Sequence, residues 1–262
     1  MKRLLSLTLS LVLLLSLAVF TSCDKEPTAY ELFSKAYENT NKLDSYSMDM
    51  EMNMSASYGG ITFDVPMFAS YKGEGMQGDS PIMSMDVSTE VLGAKIEMDI
   101  YMDNDWTYYD MSEYGVKYKV SNALSEEANE YAETINGLFE ELPKDILEGQ
   151  TPINNDDGSK TIRIEFPADK FSEIYKDLVE SVSNMSVGAE GEIDFEIVTA
   201  NAEYTISDGY FKECVVEFEF KISIEGVEMT ITAELKGVYH DPGTPVKVTL
   251  PEGLEEYPEE VL

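Results

Sequence analysis

Few residues in this chain have types and spacings that could do chemistry. Cysteine occurs only at Cys23 and Cys214, and histidine only at His240. A thiolate is the strongest nucleophile among the side chains, and its surroundings decide whether it reacts. Cys23 stands where an apolar run gives way to Asp24, Lys25, Glu26 and Pro27, a polar stretch from which a thiol could take up a thioether-linked group. Cys214 alternates in phase with Val216, Phe218 and Phe220, which makes it a small core residue rather than a reactive thiol. One histidine, set in Tyr239-His240-Asp241-Pro242-Gly243, cannot build a His-rich zinc site. The sequence holds no phosphate loop, dinucleotide fingerprint or nucleophile motif. Asp and Glu total 51, so a pair for acid–base work could lie anywhere and none stands out. The reading is a protein that is not an enzyme, with no catalytic residue and no cofactor.

The leader gives Cys23 its meaning. Met1-Lys2-Arg3 precedes a Leu-rich apolar stretch over residues 4–20, the pattern of a secretion signal, at the short limit for a membrane span. Phe20-Thr21-Ser22-Cys23 resembles a bacterial lipobox, with Phe20 where Leu or Val is usual. The resemblance implies cleavage before Cys23, lipidation of its thiol and anchoring at the outer face of the bacterial cell membrane. Two acyl chains hold a protein at a bilayer stably where one does so marginally. Residues 1–22 are then a cleaved signal, 23–27 a tether, and 28–262 a single domain that no Gly/Ser or Pro run divides. A lipidated Cys23 leaves Cys214 without a partner, which excludes a disulfide framework.

The net charge is −33. Such a chain repels nucleic acid and anionic head groups, and its acidity reads as a solvated surface. The one loop that resembles a calcium site, Asn154-Asn155-Asp156-Asp157-Gly158, lacks the alternating acids and distal Glu, so no metal is expected.

The elements that must position these residues are mostly strands. Met48, Met50, Met52 and Met54 fall on one face of a period-two stretch, with Asp49, Glu51, Asn53 and Ser55 on the other. Folding at Gly59-Gly60 sets Tyr58 against Ile61 and Met52 against Met67. Folding at Leu92-Gly93 sets Val87 against Met98 and Met83 against Met102, and folding at Glu225-Gly226 sets Ile222 against Met229. Residues 106–111, 116–120, 161–166, 193–206 and 246–250 are further strand candidates, and Asp208-Gly209 is a further turn. Helical spacing predicts three helices. One opens at the capping box Thr28/Glu31, a second carries Leu124 to Leu142, and a third carries Phe171 to Val182. The expected fold class is α+β, a large curved antiparallel sheet (a half-barrel) with about three helices on its concave face.

At this point the chain resembles a family. The helix running straight into a long strand over residues 29–54, and the closing segment over 237–253, look like bacterial lipoproteins of the LolA/LppX/LprG-like half-barrel class. That resemblance implies a lipid or acyl chain held between sheet and helices, and it transfers no individual binding residue.

Ten of the fourteen methionines have inward parity: Met48, Met50, Met52, Met54, Met67, Met83, Met85, Met98, Met102 and Met229. Methionine is flexible and polarizable and lines adaptable apolar surfaces. The candidate lining comprises Met48, Met50, Met52, Met54, Met83, Met85, Met98, Met102, Phe218 and Phe220. The partners that follow are the membrane through Cys23 and a lipid or hydrophobic ligand, with no nucleic acid. The alternative is a surface interaction module with a filled core and an aromatic patch around Trp106, Tyr108 and Tyr109.

Overall fold

Alternating apolar and polar residues fill most of the chain, and in the computed structural model they form strands. The structure describes residues 26–91, 93–122, 142, 144–167, 170, 193–224 and 227–260. In chain order the elements are α1 (Ala29–Asn41), β1 (Ser45–Tyr58), β2 (Ile61–Glu74), β3 (Ile82–Val91), β4 (Ala94–Met102), β5 (Trp106–Met111), β6 (Val116–Ser121), α2 (Lys144–Leu147), β7 (Ile153–Asn154), β8 (Lys160–Glu165), β9 (Ile193–Ser207), β10 (Tyr210–Ile224) and β11 (Val227–His240).

The eleven strands make one sheet in the order β6-β5-β4-β3-β2-β1-β11-β10-β9-β8-β7. All pairs are antiparallel. Neighbours are consecutive in the chain everywhere except β1 and β11, which join two meanders into a single surface. The hairpin registers match apolar to apolar: Tyr58 opposite Ile61, Val87 opposite Met98, and Ile222 opposite Met229. A slip of one residue would move the apolar set of one strand to the polar face of the sheet, so the alternation fixes the pairing.

Two irregularities in the β9–β10 pair lie beyond what alternation could signal. The register shifts between Phe211 and Glu213 and between Glu219 and Phe220. Each leaves one strand with a residue to spare, so Phe211 and Cys214 are both buried, as are Ile197 and Ala200, despite their odd spacing.

Helix α1 begins with the predicted capping box. The Glu31 amide donates to Thr28 Oγ1 (3.2 Å) and the Thr28 amide to Glu31 Oε2 (2.8 Å). Its Phe33 fits edge-on against Tyr204 (4.9 Å) and Phe211 (5.2 Å), while Ala29 and Ala36 let the helix approach β9 and β10 closely. Thr40 Oγ1 accepts from the Phe211 amide beside the first register shift, and Asn39 Nδ2 donates to the Gly209 carbonyl at 2.8 Å. The core therefore lies under α1, over β8–β11, and includes Leu142, Leu147, Ile162, Val216 and Leu235.

The expected architecture needs correction. The described residues form one open, curved antiparallel sheet with two helices, α1 and the single turn α2, and not an α+β layer of three helices on a concave face. Five strands run to 14 or 15 residues, so the sheet takes up most of the described chain. A helix of one turn such as α2 is too short to show a 3.6-residue period. The helices predicted to carry Leu124 to Leu142 and Phe171 to Val182 lie outside the described residues, apart from the buried Leu142. Residues 246–250 are not a strand either. The Val246 and Val248 amides donate to side chains, Ser45 Oγ and Glu74 Oε2, at 2.9 Å each, and form no ladder.

From there the C-terminal segment crosses to the far edge of the sheet, through a 3-10 turn at Leu254–Glu256. The Lys119 amide donates to the Pro258 carbonyl, and the Glu260 amide to the Lys119 carbonyl, both at 2.9 Å. These bonds satisfy part of the open edge of β6, which would otherwise invite pairing with another chain.

Candidate functional site

Register carries one face across the sheet. Met98, Val87, Ala69, Met50, Gly237 and Cys214 stand in a single row from β4 to β10. The next row runs through Met67, Met52, Leu235 and Val216. All ten methionines singled out above share this face, and so do Phe218 and Phe220. In β1 to β4, in β11, and from Cys214 to Ile222 of β10, no residue of this parity is charged. The acids and bases of these strands alternate onto the other side, where Lys236 meets Glu213 (3.2 Å) and His240 Nε2 meets Asp49 Oδ2 (2.8 Å).

The face is not covered evenly. Under α1 it is core, with Cys214, Val216 and Tyr204 buried. Across β1–β4 the methionines Met48, Met50, Met54, Met83, Met85, Met98 and Met102 are half-buried. Burial also falls along the strands. At one end Ala69, Tyr71 and Ile100 are 4%, 8% and 7% exposed, whereas Tyr58, Ile61, Phe63 and Ile96 at the other reach 50%, 59%, 49% and 37%.

The closed end is made by tyrosines that the methionine pattern did not single out, although their parity is the same. Tyr46 stacks on Tyr71 at 5.1 Å and leans on Tyr239 at 6.0 Å. Gly73 has no side chain, which leaves room for the Tyr71 hydroxyl and Met76, whose sulfur accepts from that hydroxyl at 3.6 Å. Burial first, and then the neighbouring Tyr46, pushes the Tyr71 phenol well above its ordinary value, and burial does the same for Tyr239. These hydroxyls therefore stay protonated at any physiological pH and, with that of Tyr46, give that end of the apolar face polar groups. Burial likewise raises the Cys214 thiol far above its usual range, against a hydrogen bond with Tyr204 that acts the other way.

Other sequence-predicted residues fall elsewhere. Cys23 lies outside the described residues. Trp106, Tyr108 and Tyr109 do not make one exposed patch. Tyr109 lies on the apolar face, stacked on Tyr118 at 4.8 Å. Tyr108 is buried on the opposite face against Tyr257, and the Lys119 ammonium covers the Trp106 ring at 4.9 Å. In the 154–158 loop Asp157 is taken by Lys212 Nζ at 2.8 Å and by Ser159. Among the described residues no group of three or more His, Cys, Asp or Glu is placed to hold a metal ion. No helix among them is long and apolar enough to cross a membrane.

The profile of DUF6612, described as a family of unknown function, matches residues 28–256, from the N-cap of α1 to the 3-10 turn that follows the sheet. The chain belongs to DUF6612. No curated protein matches this DUF6612 chain. Several solved structures are distantly similar to it. LprF from Mycobacterium bovis is 12% identical, with a TM-score of 0.40 over 86% of this chain and 97% of that one. A lipovitellin structure concerned with lipid–protein interactions is 7% identical, with a TM-score of 0.39 over 78% of this chain and 26% of that one. A DUF1329 family protein from Desulfovibrio piger is 10% identical, with a TM-score of 0.29 over 83% of this chain and 93% of that one.

Proposed function

We propose that this chain is a membrane-anchored extracytoplasmic lipoprotein that holds acyl chains against the methionine-bearing face of its sheet. The observation that carries this reading is the face itself: uncharged from β4 to β10, half-buried at its methionines, and closed at one end by Tyr46, Tyr71 and Tyr239. Unbranched thioether side chains re-pack around ligands of different shape at little cost. Burying about ten methylenes there is worth on the order of 8 kcal/mol before ordering costs, and useful affinity survives once those costs are subtracted. A charged head group would find no counter-ion on this face and would stay in water. The Cys23 thiol would carry the anchoring lipid. The role is binding and not catalysis, and it calls for no cofactor.

The test uses Met50 and Met98, which share one row and sit three strand spacings apart, about 14 Å. Replacing both with Trp should fill the space between them and weaken binding of a fluorescent acyl lipid, while the circular dichroism of the sheet stays the same. If the wild-type chain binds no such lipid, the reading fails.

A further inference from the structure

The tip of the β1–β2 hairpin departs from the rest of this acidic chain. Residues 52–63 contain no charged side chain, although the whole chain carries −33. The hairpin turns at Gly59-Gly60, both with positive φ (59° and 83°), and nothing lies within 4 Å of where a Cβ would stand on either. Beside the turn, Tyr58, Ile61 and Phe63 are exposed on the apolar face, with Ile96 of β4 exposed on the same face. The other face of the tip is polar but neutral, with Ser57 Oγ and Thr62 Oγ1 sharing a hydrogen bond of 2.9 Å.

On its β2 side the tip stands clear of β3, while β1 stays paired with β11 up to Tyr58 opposite Met229. Pairing between β2 and β3 starts only at Met67 opposite Thr89. Pro66 has no N–H to extend the ladder, and its carbonyl instead accepts from Thr89 Oγ1 at 2.8 Å. Large apolar side chains exposed together on a soluble surface mark a contact site.

We infer that this hairpin tip docks on the head-group region of a zwitterionic phospholipid bilayer. Three features select that occupant. No charge has to be desolvated when residues 52–63 enter the interface. A Tyr beside Ile and Phe suits the boundary between water and acyl chains. The net charge disfavours an anionic surface. The depth is limited too. Between Ile61 and Pro66 no described strand pairs with the outer edge of β2, so its backbone groups need water and cannot enter the hydrocarbon core. The tip lies at the less buried end of the methionine face, so contact there would place the open end of the face against the bilayer. That consequence rests on the acyl-chain reading; the contact itself does not.

The experiment places single reporters in the full chain, Ile61→Trp at the tip and Asp156→Trp in an exposed turn remote from it. Fluorescence is compared with that of the parent, which contributes Trp106, on phosphatidylcholine vesicles with and without bromine on the acyl chains. Bromine should quench the Ile61→Trp emission beyond the parent and leave Asp156→Trp at the parent's level. Adding Phe63→Asp to Ile61→Trp should return quenching to the parent's level, with the thermal midpoint checking that the variant folds. Equal quenching at both positions, or none at position 61, overturns the contact. If quenching at position 61 is seen and the wild-type chain still binds no acyl lipid, the contact stands and the acyl-chain reading falls. If lipid binding is intact without quenching, the reverse holds.

Discussion

Removing the Phe33 ring should unseat α1, the only helix of more than one turn among the described residues to cover the apolar face. Phe33 is 1% exposed and meets Tyr204 at 4.9 Å and Phe211 at 5.2 Å. Phe33→Ala forfeits the transfer energy of the ring and leaves a cavity. The cavity cannot collapse easily, because Tyr204 and Phe211 sit on paired strands and the helix backbone is tied down through Thr40 and Asn39. Such truncations cost about 3–5 kcal/mol, and restricted collapse puts this one in the upper part of that range. For a chain of this size each kcal/mol moves the midpoint by about 2–4 °C, so a fall of roughly 8–20 °C is expected. Thermal unfolding followed by circular dichroism measures it, beside Phe33→Leu, which keeps more of the volume and should cost clearly less. A fall of less than about 3 °C for Phe33→Ala would refute the reasoning, because a helix that loses its main anchor so cheaply is not docked as described.

Acid should loosen the C-terminal crossing. Asp110 accepts from Lys117 Nζ (2.8 Å), from Tyr257 Oη (2.5 Å) and from Ser112; burial alone would raise its carboxyl, but these bonds hold it down at about 2. A depressed carboxylate stabilises the fold above its ordinary value and loses that contribution as the pH falls toward about 2. Urea unfolding should therefore show the wild type losing stability between about pH 4 and pH 2 faster than Asp110→Asn, and parallel curves would sink the assignment. Cys214, buried and with its thiol raised, should resist a thiol reagent in the native Cys23→Ser chain and label fully in denaturant. Rapid native labelling would contradict the packed environment around Tyr204.

The local pairings were legible in the residues alone. Period-two alternation on both sides of a short turn dictates register, because a slip of one residue sends the apolar set of one strand to the opposite, polar face. Tyr58 opposite Ile61, Met83 opposite Met102 and Ile222 opposite Met229 were therefore legible, as was the capping box at Thr28 and Glu31. Alternation likewise put the ten methionines on one face of their strands. It could not say that these were the same face. For the nine in β1–β4 that follows from β2 pairing with β3, and for Met229 from β1 lying beside β11, a contact between residues far apart in the chain; a strand's own pattern names neither partner. The register shifts near Phe211 and Phe220 were hidden for a related reason, since each is a property of two strands. Tyr46, Tyr71 and Tyr239 look unrelated in the chain and become a closed end only when three neighbouring strands bring their rings together. Exposure, finally, is a tertiary quantity. Ile61 and Ile100 have the same apolar character and the same parity, yet one is 59% exposed and the other 7%, because what lies over a side chain is decided by the whole fold.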